Sequence, residues 1–170
     1  MPKPPMELLL PDVTATEAMG AGLARAFVAG GGSAVLHLHG DLGAGKTTCA
    51  RSLLRSLGVD GAIRSPTYTL VESYELGELV CVHVDLYRLE GPLDVEELGL
   101  RDFLDGHCLL LVEWPEKGGT ALPRADVALT LSYREAARVA HVEARSSRGS
   151  RWAGNLERDT SLLPYVSNIT

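Results

Sequence analysis

Residues 40–47 read Gly40-Asp41-Leu42-Gly43-Ala44-Gly45-Lys46-Thr47. They fit Gly-x-x-x-x-Gly-Lys-[Ser/Thr] at every fixed position. The chemistry requires these residue types. Glycines let the backbone curl until several N–H groups point at one anion, and a following helix adds its positive N-terminal end. The lysine reaches the β- and γ-phosphates of a nucleotide, and the next hydroxyl binds Mg²⁺. The flanks agree. Ala34 to His39 is a short apolar strand, and Leu53, Leu54 and Leu57 fall at helical spacing before Gly58, a natural helix stop. Lysine is scarce, only Lys3, Lys46 and Lys117 among 16 basic residues, so Lys46 is not a product of composition.

Base preference follows by elimination. The residues two after the lysines are Pro5, Thr48 and Gly119, so the Lys-x-Asp element of a guanine pocket is missing, as is Asp-x-x-Gly. Adenine is favoured. A phosphate loop also needs an acid at the end of a second buried strand. Leu109-Leu110-Leu111-Val112-Glu113 has that form. Glu113 either holds Mg²⁺ through a water or polarises the attacking water. Asp85 is the other candidate, leaving the strand Leu79 to Val84 beside Tyr87 and Arg88. Ser65-Pro66-Thr67-Tyr68-Thr69 puts hydroxyls on a Pro-stiffened loop after the phosphate-loop helix. It reads equally as a γ-phosphate-sensing switch and as a plain turn.

The remaining chain supplies a mixed α/β pattern. Met6 to Leu10 reads as a strand, and Thr14-Ala-Thr-Glu17 as a capping box that starts a helix near Ala15 and ends at Gly30-Gly31-Gly32. Thr69 to Glu75 and Leu79 to Val84 form a hairpin, Asp94 to Asp105 is helical with a break near Gly99, and Val127 to Leu131 and Val139 to Glu143 are strand-like. Residues 1–145 are expected to form one domain and 146–170 a tail.

Composition narrows the class. Hydrophobic residues make up 45% and charged residues 22%, an ordinary globular balance. A net charge of −6 argues against holding nucleic acid through the overall field of the chain. No apolar run approaches the ~18 residues that span a bilayer, and Met1 to Pro11 is too short for a signal-peptide core, so cytoplasm is the default. Cys49, Cys81 and Cys108 are odd in number and widely spaced. A zinc site from Cys81, His83, His107 and Cys108 lacks the paired short spacings of structural zinc, and small buried hydrophobes are the better reading.

Taken together, GDLGAGKTT at 40–48, SPTYTLVESYE at 65–75, HVDLYRLE at 83–90, EELGLRDFL at 96–104 and LLLVEWPEKG at 109–118 resemble the TsaE family. Its members are ATPases of bacterial tRNA threonylcarbamoyladenosine (t6A) biosynthesis. The resemblance covers residues 6–145. It implies a P-loop NTPase fold, with a mixed, largely antiparallel-edged central sheet flanked by helices. It also implies ATP or ADP with Mg²⁺ as ligands. Two partners of the actin/Hsp70-like fold would transfer threonylcarbamoyl to adenosine 37 of ANN-decoding tRNAs. ATP hydrolysis would support their repeated turnover, tRNA would be reached through them, and no membrane would be involved.

Residue by residue, the resemblance puts the phosphate loop on Asp41, Leu42, Gly43, Ala44, Gly45, Lys46, Thr47 and Thr48. It puts the magnesium hydroxyl on Thr47, the essential Asp on Asp85 and the metal-linked Glu on Glu113, with Trp114 beside the nucleotide. The switch-like loop falls on Ser65 to Glu72, with Thr67 at its centre. Thr14 or Thr16, and Arg138, fall where adenine contacts would be. The tail, with Arg148, Arg151 and Arg158, matches no motif and is expected to be solvated and mobile rather than to dock a partner or tRNA. Two other classes compete: a small-molecule kinase with residues 145–158 as its lid, and a nucleotide-gated binding module.

Overall fold

The computed structural model describes residues 4–167, so Lys3 and the outer ends of both expected segments lie outside it. The elements run β1 (Met6–Leu10), α1 (Val13–Gly30), β2 (Ala34–His39), α2 (Lys46–Leu57), β3 (Val71–Leu76), β4 (Leu79–Asp85) and α3 (Pro92–Glu96). They continue with a 3-10 segment (Leu100–Asp105), β5 (Cys108–Glu113), two short 3-10 turns, β6 (Val127–Arg134), β7 (Ala137–Ala144), α4 (Ser147–Glu157) and a last 3-10 segment (Thr160–Tyr165).

The seven strands form one sheet in the order β1-β7-β6-β2-β5-β4-β3. The four central strands, β6, β2, β5 and β4, are parallel. Antiparallel partners close both edges, β3 on one side and β7 with β1 on the other. This is the mixed, antiparallel-edged α/β sheet expected from the sequence. Burial explains the unbroken apolar run of β5. Leu109 and Leu111 face a core shared with α1, α2 and α4, while Cys108, Leu110 and Val112 face a second core built with α3 and Leu122. A strand covered on both faces has no polar side to show, so alternation disappears.

Three details differ from the sequence reading. First, Asp12, not Thr14, caps α1: its carboxylate accepts from Ala15 N at 2.8 Å from an extended backbone. With Asp12 as the cap, two residues before Thr14, the helix starts at Val13, so the Glu17 amide already lies inside the helix and the Thr14–Glu17 box has nothing left to satisfy. Second, the stretch expected to be one broken helix is a five-residue α3 and a separate 3-10 segment, parted by Gly99 at φ +63°.

Third, the segment after Arg145 is corrected from a solvated tail to a packed helix. Trp152 is 3% exposed, donates Nε1–H to Leu23 O at 2.9 Å and meets the Phe27 ring at 5.6 Å. Asp126 anchors the helix start by accepting from Ser146 Oγ at 2.6 Å and from Val35 N at 2.8 Å. Gly149 lies so close that a Cβ would collide with the Asp126 carbonyl. A few apolar positions set among Ser, Arg and Gly carry this docking, which is why the segment reads as polar.

The cysteines are buried and free. Cys81 and Cys108 belong to opposite cores, so they cannot share an ion. Among the described residues no group of three or more His, Cys, Asp or Glu could hold a metal. No helix there is long and apolar enough to cross a membrane.

The α4 contact predicts a large stability effect. Trp152→Ala removes a buried indole and should lower unfolding free energy by about 3–5 kcal/mol. Urea unfolding reads this as a lower midpoint with an unchanged slope. A loss below ~1 kcal/mol would mean that α4 contributes little to the fold.

Candidate functional site

The loop between β2 and α2 closes on glycine geometry. Gly45 caps α2 at φ +108°, a conformation that costs side-chain-bearing residues, so the first amides of α2 open toward the cleft. Gly40 passes so near β6 that a Cβ would collide with the Leu131 carbonyl. Lys46 folds back over this loop, donating to Asp41 O at 2.9 Å and to Gly40 O. Burial lowers the Lys46 pKa, and the Glu113, Glu116, Asp85 and Asp41 carboxylates oppose that shift. The ammonium is thus parked on carbonyls, ready to exchange them for a stronger anionic partner.

Parallel pairing of β2, β5 and β4 brings the acids to the same end of the sheet. Asp85 and Glu113 are register partners in β4 and β5. Glu113 is 2% exposed, and both of its oxygens lie 2.9 Å from Thr47 Oγ1, which donates to them. His83 Nε2 lies 2.8 Å from Glu113 Oε1, with the imidazole fully buried and its Nδ1 without a partner. Asp85 accepts from Tyr87 N at 2.9 Å and from Thr67 Oγ1 at 3.3 Å, and Thr67 Oγ1 lies 2.7 Å from Ser65 Oγ. Burial raises the Asp85 pKa. The Tyr87 amide opposes this, the Glu113 charge adds to it, and Thr67 and His83 oppose it.

Trp114 leaves β5 at φ +57°, ψ +47°, a left-handed backbone uncommon for a tryptophan. That turn lays the indole 4.1 Å from Lys46 Nζ and 5.0 Å from the Tyr87 ring. Strained non-glycine residues concentrate where a site demands them.

These groups line one cleft of about 250 Å³, which holds Lys46, Thr47, Thr67, Asp85, Glu113 and Trp114 together. A second hollow of about 180 Å³ adjoins it through Gly43, Gly45 and Thr48, and is lined by Val13, Thr16 and Arg138. Thr16 and Arg138 therefore stand beside the loop. Thr14 is exposed and lines neither hollow. Arg138 stacks on Tyr133, 4.1 Å from its ring centre, and Tyr133 donates its hydroxyl to Leu42 O at 2.8 Å, bracing the loop from β6.

Sequence reasoning overlooked His83, Tyr87 and Tyr133 as parts of this site. His83 had a signal: strand residues two apart share a face, so a histidine two before Asp85 points the same way. Tyr133 had none, because only the fold brings β6 beside the loop.

Comparisons with known proteins point to one family. The family described as "Threonylcarbamoyl adenosine biosynthesis protein TsaE" matches residues 10–141. The chain is 43% identical over 115 residues to the "tRNA threonylcarbamoyladenosine biosynthesis protein TsaE" of Haemophilus influenzae, covering 68% of this chain and 73% of that one. It is 43% identical over 116 residues to the Synechocystis protein of the same description, covering 66% and 71%. The solved structure described as "Crystal structure of Bacillus subtilus YdiB" superposes with a TM-score of 0.75 at 28% identity, over 93% of this chain and 97% of that one.

The raised Asp85 pKa has a sign that can be measured. Between the ordinary carboxylate range and the raised value, the folded chain keeps a proton that the unfolded chain releases, so stability falls as pH rises through that window. Asp85→Asn should therefore raise the melting temperature of the ligand-free protein at neutral pH, by roughly 2–4 °C per ~1 kcal/mol recovered. The gain should shrink as pH falls below that window. A melting temperature lowered at neutral pH would contradict this electrostatic picture.

Proposed function

This chain belongs to the TsaE family of tRNA threonylcarbamoyladenosine biosynthesis proteins, and we propose that it serves there as a Mg²⁺-dependent ATPase. Hydrolysis would support repeated turnover of two actin/Hsp70-like partner proteins that carry out the transfer and bring the tRNA. The observation that carries the ATPase reading is the Thr47 hydroxyl held by both oxygens of Glu113, with Asp85 in register beside it.

The residues present fit the metal. A hydroxyl and two carboxylates suit a hard cation that keeps most of its waters and takes the rest of its shell from phosphates. Thr47, Glu113 and Asp85 would hold it, and it would neutralise charge developing on the phosphate oxygens. The loop amides and the α2 N-terminus would bind the β- and γ-phosphates. Lys46 would leave the Gly40 and Asp41 carbonyls for those phosphates. His83, donating to Glu113 from below, would keep that carboxylate aimed at Thr47 while Asp85 or Glu113 orients the attacking water. Trp114 and Tyr87 would cover Lys46 and exclude water from its charge. Thr67, already bonded to Asp85, is where loss of the γ-phosphate would be felt by loop 65–69.

The kinase alternative weakens on one point. Its lid was to come from residues 145–158, yet Arg148 and Arg151 lie with Gly30 and Ala34 at the strand end opposite the phosphate loop.

Two predictions separate binding from hydrolysis and from partner control. Lys46→Ala should weaken ADP binding by on the order of 10- to 100-fold in calorimetry, with ATP preferred over GTP in the unaltered chain. Glu113→Gln should keep ADP affinity within about threefold and cut phosphate release about 100-fold or more. Equal hydrolysis by Glu113→Gln and the unaltered chain would remove Glu113 from the reaction.

The second prediction concerns stimulation. Phosphate release should be slow for the isolated chain and rise strongly with both partner proteins. Thr67→Ala should lose that rise while binding ATP normally. A partner-independent rate unaffected at Thr67 would favour the kinase or binding-module reading.

A further inference from the structure

A hollow larger than either one at the phosphate loop lies elsewhere in the fold. A cleft of about 770 Å³ lies on the other face of the sheet, and its polar side chains include Arg101, Arg124, Arg145, His37 and His39. In a chain with 22 acidic residues and a net charge of −6, no carboxylate lines it. The alternation of β2 explains its place. Leu36 and Leu38 fill the core under α1 and α2, so His37 and His39 must face the opposite way. His39 is the last residue of β2, and the phosphate loop starts at Gly40.

The charge state of the cleft is defined by its neighbours. His37 lies 3.0 Å from Pro123 O, and burial lowers its pKa to about 4, with His39 and Arg145 adding to the shift. Burial also lowers the His39 pKa, against the pull of Glu116 at 3.6 Å. Both imidazoles are therefore neutral hydrogen-bonding groups near pH 7, and the positive charge comes from the three arginines. Arg101 is pinned by Nη2 to Thr120 O at 3.0 Å and to Leu122 O at 3.2 Å. Arg145 pairs at 2.9 Å with Glu143, which is half exposed. Arg124 is exposed and makes no ion pair or hydrogen bond among the described residues.

We propose that this cleft binds the phosphate backbone of an RNA strand. The proposal rests on the reading of the chain as a tRNA-modification protein. Guanidinium forks match phosphate oxygens, and neutral imidazoles suit the 2′-hydroxyls beside them. The cleft has Leu122, Pro123, Ala125 and Ala128 in its walls but no Phe, Tyr or Trp, and His37 is tied to Pro123 O, so it lacks the broad stacking platform on which single-stranded bases are read. Contact is therefore with backbone rather than sequence, and is weak because the rest of the surface is acidic. An acidic peptide is the competing occupant.

The test uses the full chain and a fluorescein-labelled tRNA transcript, read by anisotropy across a salt series. Three neutralised phosphates predict a slope of log affinity against log salt of about −2 to −3. Replacing Arg124 and Arg145 together by Ala should reduce the slope to about −1 and the affinity at low salt by on the order of 10-fold. Glu143→Gln frees Arg145 and should tighten binding a few-fold, which keeps the proposal testable if the double variant folds poorly.

Unlabelled tRNA should displace the probe far better than poly-glutamate of matched charge. No binding by the unaltered chain at low salt, unchanged binding by both variants, or equal displacement by poly-glutamate would overturn the proposal. ADP calorimetry on the same proteins keeps the two readings apart. Normal ADP binding without tRNA binding refutes the cleft alone, and tRNA binding without nucleotide binding refutes the ATPase reading alone.

Discussion

The shared hydrogen bond between the Thr47 hydroxyl and the Glu113 carboxylate is the constraint on which this molecule depends. Thr47 opens α2 and Glu113 ends β5, and the two meet only because β2 and β5 pair in parallel with Leu38 opposite Glu113. The carboxylate is 2% exposed, and a polar group so buried is costly unless its acceptor positions are filled. Thr47 and His83 fill them from two elements. The register of three parallel strands, the start of α2 and the aim of a buried acid are therefore fixed by one small network. Hydrogen bonds linked in such a network polarise and strengthen one another in a low-dielectric interior. The imidazole Nδ1 without a partner is the one gap in it.

Much of this was legible because phosphate chemistry restricts the residues that can serve it. Only glycine reaches the φ of +108° at Gly45, and only a lysine after it can be parked on the loop carbonyls. The central strands were legible for a different reason. Burial on both faces turns β5 into a continuous apolar run, and the sequence shows it directly. The acids at the ends of β4 and β5 followed from those runs, and the structure sets them side by side.

What was illegible shares one physical origin. Contacts made by a few apolar groups within polar segments leave no periodic trace. Trp152 and Leu156 dock α4 through a chain of Ser, Arg and Gly, and Tyr133 braces the phosphate loop from a strand far away in sequence. The cap of α1 was misread for a local reason, since Asp12 and Thr14 both suit that role and only backbone direction decides between them. Thr14 fell outside both hollows for the same reason: it sits in the first turn of α1, exposed, while Thr16 two residues on turns inward.

Strand β2 explains how two sites of opposite charge coexist in so small a chain. Its even positions, Leu36 and Leu38, anchor the face that carries α2 and the acids. Its odd positions, His37 and His39, open onto the arginine cleft. The sheet separates the two, so Asp85 and Glu113 do not neutralise the arginines behind them. Glu116 is the exception. It sits 3.6 Å from His39 and also acts on Lys46 through its charge. Glu116 therefore stands within reach of both groups, at the edge of the cleft. The left-handed backbone at Trp114 leads directly into the 3-10 turn that carries Glu116. A strained residue at that junction fixes where Glu116 stands between the two faces.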